Sequence, residues 1–426
     1  MKNRISFSKK IIALIQLTIL TGIQSLLTPI DFFHYFLLLD FLIIVGVYSF
    51  RGYEIENLKS LNNTIVSYTL GSFMAHLLML IPIVLQPRQF PKLPFFTTGF
   101  VSITILPIVA YLFAKWYFKI LKPQHYLVIG KKEEIGKIMD EIQETSMGKI
   151  QVHSYMNPSV AVLSEILEKE KTFDKILIAD PNLIDGIKPV LKKVHEKNIE
   201  IVYLPTLVED TLKRIPIEVI KLFDEYYEIA FSKHVESSVK RLIDIIGSII
   251  GLVIFSPVML IVALAILIED GRPVVFKQRR VGLNNRPFIL HKFRTMKGEN
   301  KEAKFAGQEK DRIMKVGKWA RPSRMDEILQ FYDIFRGNMS IVGPRPEQEK
   351  FVKEYSEKIP FYSYRHKTKP GLTGWAQINY PYSETIEQTK IKLSYDLWYV
   401  KNRNILLDLS IILRTIETVL FRRGGK

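Results

Sequence analysis

"LIDIIGSIIGLVIFSPVMLIVALAILIED", Leu242 to Asp270, decides how the chain folds and where most of it lies. No charge falls between Asp244 and Glu269, and the length is enough to cross a bilayer. Ser256-Pro257 stands in the middle. Proline inside a helix removes a backbone hydrogen bond and clashes with the preceding turn, costing about 3 kcal/mol, so a kink or break is expected. Each half holds about twelve residues, too few to span alone. Lys240, Arg241 and Asp244 lie at one end and Glu269, Asp270 and Arg272 at the other. The pattern predicts a helix–break–helix hairpin over 240–268 that enters one leaflet and returns, with Ser256 bonding freed carbonyls at the bend. The other reading is a fifth, kinked transmembrane helix. It would put the basic region that follows outside, against the excess of Lys and Arg in cytoplasmic segments.

Upstream, four apolar segments, Ile11–Pro29, Phe32–Phe50, Ile65–Leu85 and Phe95–Phe118, each approach the roughly 20 residues needed to span. Lys2, Arg4, Lys9 and Lys10 precede the first. Arg51 and Lys59 follow the second, and Lys115, Lys119 and Lys122 close the fourth, which puts both ends in the cytoplasm although Arg88 and Lys92 lie in the second external loop. The first segment runs too long for a cleaved signal peptide. From Pro123, short β runs ("HYLVIG", "KIQVHSYM", "DKILIAD", "IEIVYLP") alternate with helical ones, as in a doubly wound parallel sheet. Only Gly130 and Gly136 follow the first strand, without the G-x-G-x-x-G that admits a pyrophosphate. A structural or assembly module, with a surface for homodimerisation, is favoured over a dinucleotide site.

The 426 residues carry a net charge of +17. Between Pro273 and Met325 there are fifteen Lys and Arg against four Asp and Glu, a cluster suited to phosphorylated substrates or anionic lipid. No nucleic-acid recognition motif accompanies it. With no cysteine, disulfides and thiol catalysis are excluded. Three stretches in this region carry chemistry. In "FKQRRVGLNNRPFILHKFRTMK", Phe276 to Lys297, a β-hairpin is expected, and alternation would put Lys292 and Arg294 on one face, able to hold a diphosphate or merely forming a solvated basic face. In "ARPSRMDEILQFYDIFRGN", Ser323 has capping-box spacing to Asp326, predicting a helix from Arg324 to about Phe335. Asp326 and Glu327 would then open its first turn, either as plain capping or as a pair that binds a divalent metal and leaves an oxygen free as nucleophile. Arg321 and Arg324 beside them suit phosphate. In "GNMSIVGPRPE", Arg345 is held between Pro344 and Pro346, offering a rigid fork.

Taken in order, "KRLID", the Ser-Pro break, "QRRVG", "KFRTM", "RMDE", "GNMSIVGPRPE" and "KPGLTGWAQIN" closely resemble the bacterial sugar transferase family, the monotopic polyprenyl-phosphate phosphoglycosyl transferases. The resemblance covers Lys240 to the C-terminus, and the front end is similar to that of larger members. Leu329 departs from the family's usual Pro, without cost to the helix turn. The resemblance implies a membrane protein of mixed class: a four-helix transmembrane bundle (1–120), an α/β doubly wound Rossmann-like domain (121–208), a linker (209–236) and an α+β monotopic catalytic domain (237–426). It implies a multi-pass protein of the bacterial inner membrane whose catalytic domain is cytoplasmic. It also implies attack by Asp326 on the β-phosphorus of a UDP-sugar, glucose or galactose being usual, with release of UMP. Undecaprenyl phosphate then takes the sugar phosphate. Glu327 would support Mg²⁺ with Asp326, and Lys292, Arg294, Arg345, Arg280 and Arg324 would balance phosphate charge. Ser256 and Pro257 would shape the membrane hairpin, and Pro344 and Pro346 the site. "YDLWYVKNRNILLDLSIILRTIETVLFRR" reads as an interfacial helix carrying Trp398 and Tyr399 and ending in Arg422 and Arg423, or equally as a core helix. Two other functions fit parts of the chain. A membrane-bound nucleotide-sugar dehydratase would need a second Gly-rich unit and a Tyr-x-x-x-Lys pair, both lacking after residue 236. A non-catalytic adaptor binding anionic lipid would be indifferent to Asp326.

Overall fold

The computed structural model describes residues 2–85, 90–156, 163, 165, 173–184, 188–196, 199–232, 237–298, 312–380 and 383–420. The chain divides into two compact units, Met1–Leu212 and Lys213–Lys426.

The first unit opens with four long helices: α1 (Lys2–Leu27), α2 (Phe33–Ser49), α3 (Leu61–Val84) and α4 (Lys92–Ile120). They are inside-out relative to a soluble bundle. Leu14, Phe41, Phe73, Ile81, Phe100 and Trp116 are exposed, while Gln16, Gln24, Asp40, Ser72 and Ser102 are buried. Apolar surface turned outward and polar groups satisfied inward is the arrangement a bilayer demands. Gln24 donates to Asp40 at 2.6 Å, and Gln16 bonds to both Tyr53 and Tyr68. Gly46 and Gly71 bring α2 and α3 into backbone contact, since a Cβ on Gly46 would lie 2.4 Å from the Gly71 carbonyl oxygen. All four helices, and one further helix in the second unit, are long and apolar enough to cross a membrane.

The same unit continues into β1 (Gln124–Ile129), α5 (Lys132–Thr145), β2 (Ile150–Met156), β3 (Lys175–Ile178), α6 (Lys188–Glu196) and β4 (Glu200–Tyr203). The strands form one parallel sheet in the order β2-β1-β3-β4, as strand–helix alternation requires. The apolar side of α5 (Ile135, Ile138, Met139, Ile142) is buried. Its first turn carries Glu133 and Glu134, the wrong sign for a pyrophosphate. The helix expected between β2 and β3 lies almost wholly outside the described residues.

In the second unit, α7 (Ile217–Leu222) and α8 (Asp224–Ser232) occupy the stretch expected to be a linker. They are part of the fold instead. Trp375 Nε1 donates to the Lys213 carbonyl at 2.9 Å, Ile215 N donates to Ser394 O at 2.9 Å, and the Phe231 ring meets Tyr364 at 5.0 Å. Then come α9 (Ser238–Asp270), the antiparallel hairpin β5 (Val275–Val281) and β6 (Pro287–Phe293), α10 (Lys315–Ala320), α11 (Gln330–Arg336), β7 (Ser340–Val342), α12 (Glu349–Lys358), β8 (Gly371–Thr373), α13 (Ile386–Asn402) and α14 (Ile405–Leu420). Asn284 (φ 53°) and Asn285 (φ 60°) turn the hairpin where the sequence places them. β7 pairs in parallel with β8.

The expected break at Ser256-Pro257 does not interrupt the helix: α9 runs 33 residues with Pro257 inside it. Its two halves, however, dock on the same unit. In the first half Lys240 pairs with Asp408 at 2.6 Å, and Arg241 donates to the carbonyls of Ile334 and Phe335. Asp244 there accepts from Ser340 Oγ and Ile341 N, both at 2.9 Å. In the second half, Val262 and Ile266 pack with Phe293, Met314, Val316 and Ile328, and Glu269 accepts from the backbone of Lys315 and Val316. Between them, residues 253–257 are exposed, with the Phe255 ring stacked on Phe331 at 5.9 Å. Trp398 and Tyr399 are buried in α13, so they belong to the core of the unit and not to an interface. Arg422 and Arg423 lie outside the described residues.

Candidate active site

Asp326 and Glu327 sit on a short 3-10 turn, Met325–Glu327, and not in the first turn of a long helix. Arg324 takes a left-handed conformation (φ 55°), which ends regular helical hydrogen bonding there, and α11 begins only at Gln330. The expected capping box is absent. Ser323 Oγ donates instead to the carbonyls of Trp319 and Ala320. Helix-dipole stabilisation is therefore no part of the pair's chemistry, and side-chain charge takes its place.

The pair is buried, and its two members are treated differently. Glu327 is paired: Arg345 donates to it from both terminal nitrogens, at 2.5 and 3.4 Å, and Arg324 donates at 3.2 Å. No described residue donates a hydrogen bond to Asp326. Burial and the Glu327 charge push its carboxyl up to about 6, against the pull of Lys292, Arg321 and Arg345. Burial acts the same way on Glu327, yet the Arg345 fork, Arg324 and Lys292 overcome it and hold that carboxyl well below the usual range. Two adjacent carboxylates thus have their proton affinities driven apart, with the easily protonated one unpaired.

The cations come from three places. Lys292, on β6, stands beside Phe276, with its ammonium 5.1 Å from that ring, and burial together with the Arg280 charge lowers its pKa. Arg280, on β5, donates to the Pro346 carbonyl at 3.0 Å, and burial pulls its guanidinium down to about 10. Arg345 is fixed at its backbone, where Pro344 and Pro346 flank it and Arg365 Nη2 donates to its carbonyl at 2.8 Å. One guanidinium nitrogen of Arg321 is buried without a hydrogen-bond partner among the described residues. Buried donors left open in this way are what an anionic ligand would satisfy.

Arg294 is not brought to this group. Strand β6 ends at Phe293, so strand alternation does not carry its side chain to the face of Lys292. It donates to the carbonyls of Asp270 and Gly271 and pairs with the Asp270 carboxylate at 3.1 Å, capping the end of α9. Ser256 and Pro257 lie at the exposed middle of α9, away from the acidic pair. Arg365, which donates to the Arg345 carbonyl, its partner Asp396, and the Glu347–Lys392 pair beside them carry no signal in the sequence. They lie far apart in the chain and follow no local pattern.

Residues 235–422 match the family model described as bacterial sugar transferase. The chain is 37% identical over 251 residues to a UDP-N-acetylgalactosamine-undecaprenyl-phosphate N-acetylgalactosaminephosphotransferase of Aeromonas hydrophila, covering 58% of this chain and 59% of that protein. It is 33% identical over 268 residues to a UDP-glucose:undecaprenyl-phosphate glucose-1-phosphate transferase of Klebsiella pneumoniae, covering 60% and 56%. The chain thus spans little more than half the length of these two relatives. Against a sugar transferase of Bacillus subtilis the identity is 38% over 185 residues, 43% of this chain but 89% of the other. That last match, nearly end to end on the relative, together with the family model over residues 235–422, makes the chain a member of the bacterial sugar transferase family.

Proposed function

We propose that the chain transfers a sugar-1-phosphate from a UDP-sugar to undecaprenyl phosphate, releases UMP and so begins assembly of a surface polysaccharide. The observation that carries this reading is Asp326: a buried carboxylate with no hydrogen-bond donor among the described residues, facing Lys292, Arg321 and Arg345 beside a second carboxylate already paired. An Asp326 oxygen attacks the β-phosphorus, and the bond to UMP breaks with its electron pair leaving on UMP. An oxygen of the acceptor phosphate then attacks the same phosphorus, the aspartyl oxygen leaves as carboxylate, and a polyprenyl-diphospho-sugar results. Lys292, Arg280 and Arg345 stabilise charge on the transferring phosphates. Two adjacent hard carboxylates fit Mg²⁺, which takes few protein ligands and shares itself with substrate phosphates; Asp326 and Glu327 would hold it, and it would neutralise diphosphate charge. The proteins named above differ in their sugar, and glucose, galactose and N-acetylgalactosamine all remain within this reading.

In this reading α9 enters one leaflet of the bacterial inner membrane from the cytoplasmic face, and the middle module serves homodimer assembly. Support for the shallow entry comes from where the helix is held. Asp244 and Glu269 are about 37 Å apart along a straight helix, more than a hydrocarbon core of about 30 Å, yet both bond to the same folded unit. The five exposed residues around Ser256-Pro257 then form the part that dips.

The test is UMP release by purified protein from a panel of UDP-sugars with Mg²⁺. A stoichiometric burst without acceptor and sustained turnover with undecaprenyl phosphate are expected. Absence of UMP from every sugar, or turnover without any burst, would overturn the two-step reading.

A further inference from the structure

The β5–β6 hairpin has a second face with the makings of a lipid headgroup site. Side chains alternate across a strand, and residues directly opposite in a ladder share a face. Phe276 and Lys292 are one such pair, on the side that meets Asp326; Lys277 and His291 are the next, on the other side. There an open groove of about 650 Å³ has an apolar wall of Pro273, Val274, Val275 and Leu329. Arg272 and Lys277 stand at its rim, both exposed, and neither side chain has a partner among the described residues.

The acids nearest the groove are already used. Asp333 is fully buried, accepting from His291 Nδ1 at 2.7 Å and from His291 N at 2.9 Å, and Asp270 is paired with Arg294. Tyr332 stands edge-on to the His291 ring at 5.6 Å, and Arg336 lies 5.7 Å over the other ring. The rim is therefore cationic without a counter-charge. Arg272 lies two residues beyond the end of α9, whose Leu264, Leu267 and Ile268 are exposed.

We propose that this groove binds the phosphodiester headgroup of an anionic phospholipid, with Arg272 and Lys277 on the phosphate and the acyl chains along the exposed side of α9. A bilayer lipid is assigned here, and not the transfer acceptor, because an acceptor phosphate must reach Asp326, which lies on the Lys292 side of the hairpin. The bound lipid would fix the depth at which the unit sits.

The experiment titrates delipidated full-length protein in detergent with dioctanoyl phosphatidylglycerol and counts adducts by native mass spectrometry. Wild type is expected to hold one lipid that the Arg272→Gln/Lys277→Gln variant holds roughly thirtyfold more weakly. The charge-preserving Lys277→Arg variant keeps it. Equal retention of dioctanoyl phosphatidylcholine, or unchanged affinity in the double variant, overturns the proposal. So does displacement of the lipid by farnesyl phosphate at equal concentration, which would give the groove to the acceptor. Asp326→Asn is expected to bind the lipid as wild type does, so the result stands or falls apart from the transferase reading.

Discussion

The second unit buries two clusters of charge, and they are finished to different degrees. Around Arg365 the charges are matched. Its guanidinium binds Asp396 at 2.8 and 3.0 Å and the Arg345 carbonyl at 2.8 Å, while nearby Glu347 takes Lys392 at 2.9 Å and lies 3.9 Å from Arg280. Around Asp326 the matching stops halfway. Glu327 has its fork, and Asp326 and one nitrogen of Arg321 have no hydrogen-bond partner among the described residues. Burying charge is costly, and a chain that needed only stability would complete both clusters or remove them. The closed cluster fixes a backbone, and on the proposed reading the open one keeps reactive groups ready for a ligand.

If that contrast is right, breaking the open cluster costs activity and breaking the closed one costs stability. Asp326→Asn keeps the shape and removes the proposed nucleophile, so the UMP burst should fall by at least about 10³-fold with the thermal midpoint little changed. Wild-type-like bursts in that variant would end the assignment. Arg365→Ala strands Asp396 in the interior and should destabilise the unit by about 3–5 kcal/mol in denaturant titrations. It should also loosen the Arg345 fork. A variant as stable as wild type would show that the closed cluster is not structural.

The open cluster was far more legible in the sequence than the closed one. "RMDE" and "GPRPE" are contiguous, so the acidic pair and a constrained arginine can be read off a few residues, and the hairpin turn is announced by Asn284-Asn285. The closed cluster joins Arg365 to Asp396 across 31 residues, with no periodicity to betray it. Where the sequence misled, a single backbone conformation or strand end was responsible. Arg324 in the left-handed region cancels the helix that Ser323 would have capped, and β6 stops one residue short of Arg294. The helix with the Ser-Pro pair misled in another way. Proline does not interrupt it; the five residues around that proline are exposed, with Phe255 alone stacked on Phe331, so the expected break is replaced by continuous helix.

Lys292 and Arg294 carry the same contrast to two neighbouring cations. Lys292→Gln removes a buried cation from the open cluster and should lower kcat/KM by about 10²-fold or more. Arg294→Gln removes a cap on α9 and should cost about 1–2 kcal/mol of stability while KM for the UDP-sugar stays near wild type. The two side chains are two residues apart, so opposite results in steady-state kinetics and thermal melts would separate transfer from scaffold. If both variants raised KM alike, Arg294 would have to reach the donor.

The smallest expected effect concerns the proton on Asp326. In the proposed reaction the attacking Asp326 must be ionised, and its carboxyl is raised to about 6 by burial and by the Glu327 charge. The burst rate should therefore fall as pH drops through about 6, well above where an ordinary carboxylate would lose activity. Glu327→Gln removes one of the two causes of that rise and frees Arg345 to approach Asp326. Both changes favour the ionised form, so the acid limb should move to lower pH, by about one unit, equivalent to about 1.4 kcal/mol. The measurement is burst rate against pH in single-turnover mixing, read as a midpoint so that any fall in absolute rate does not matter. A limb that stayed in place, or moved up, would mean that the two carboxylates do not share a field, and the half-finished cluster would lose its meaning as a site.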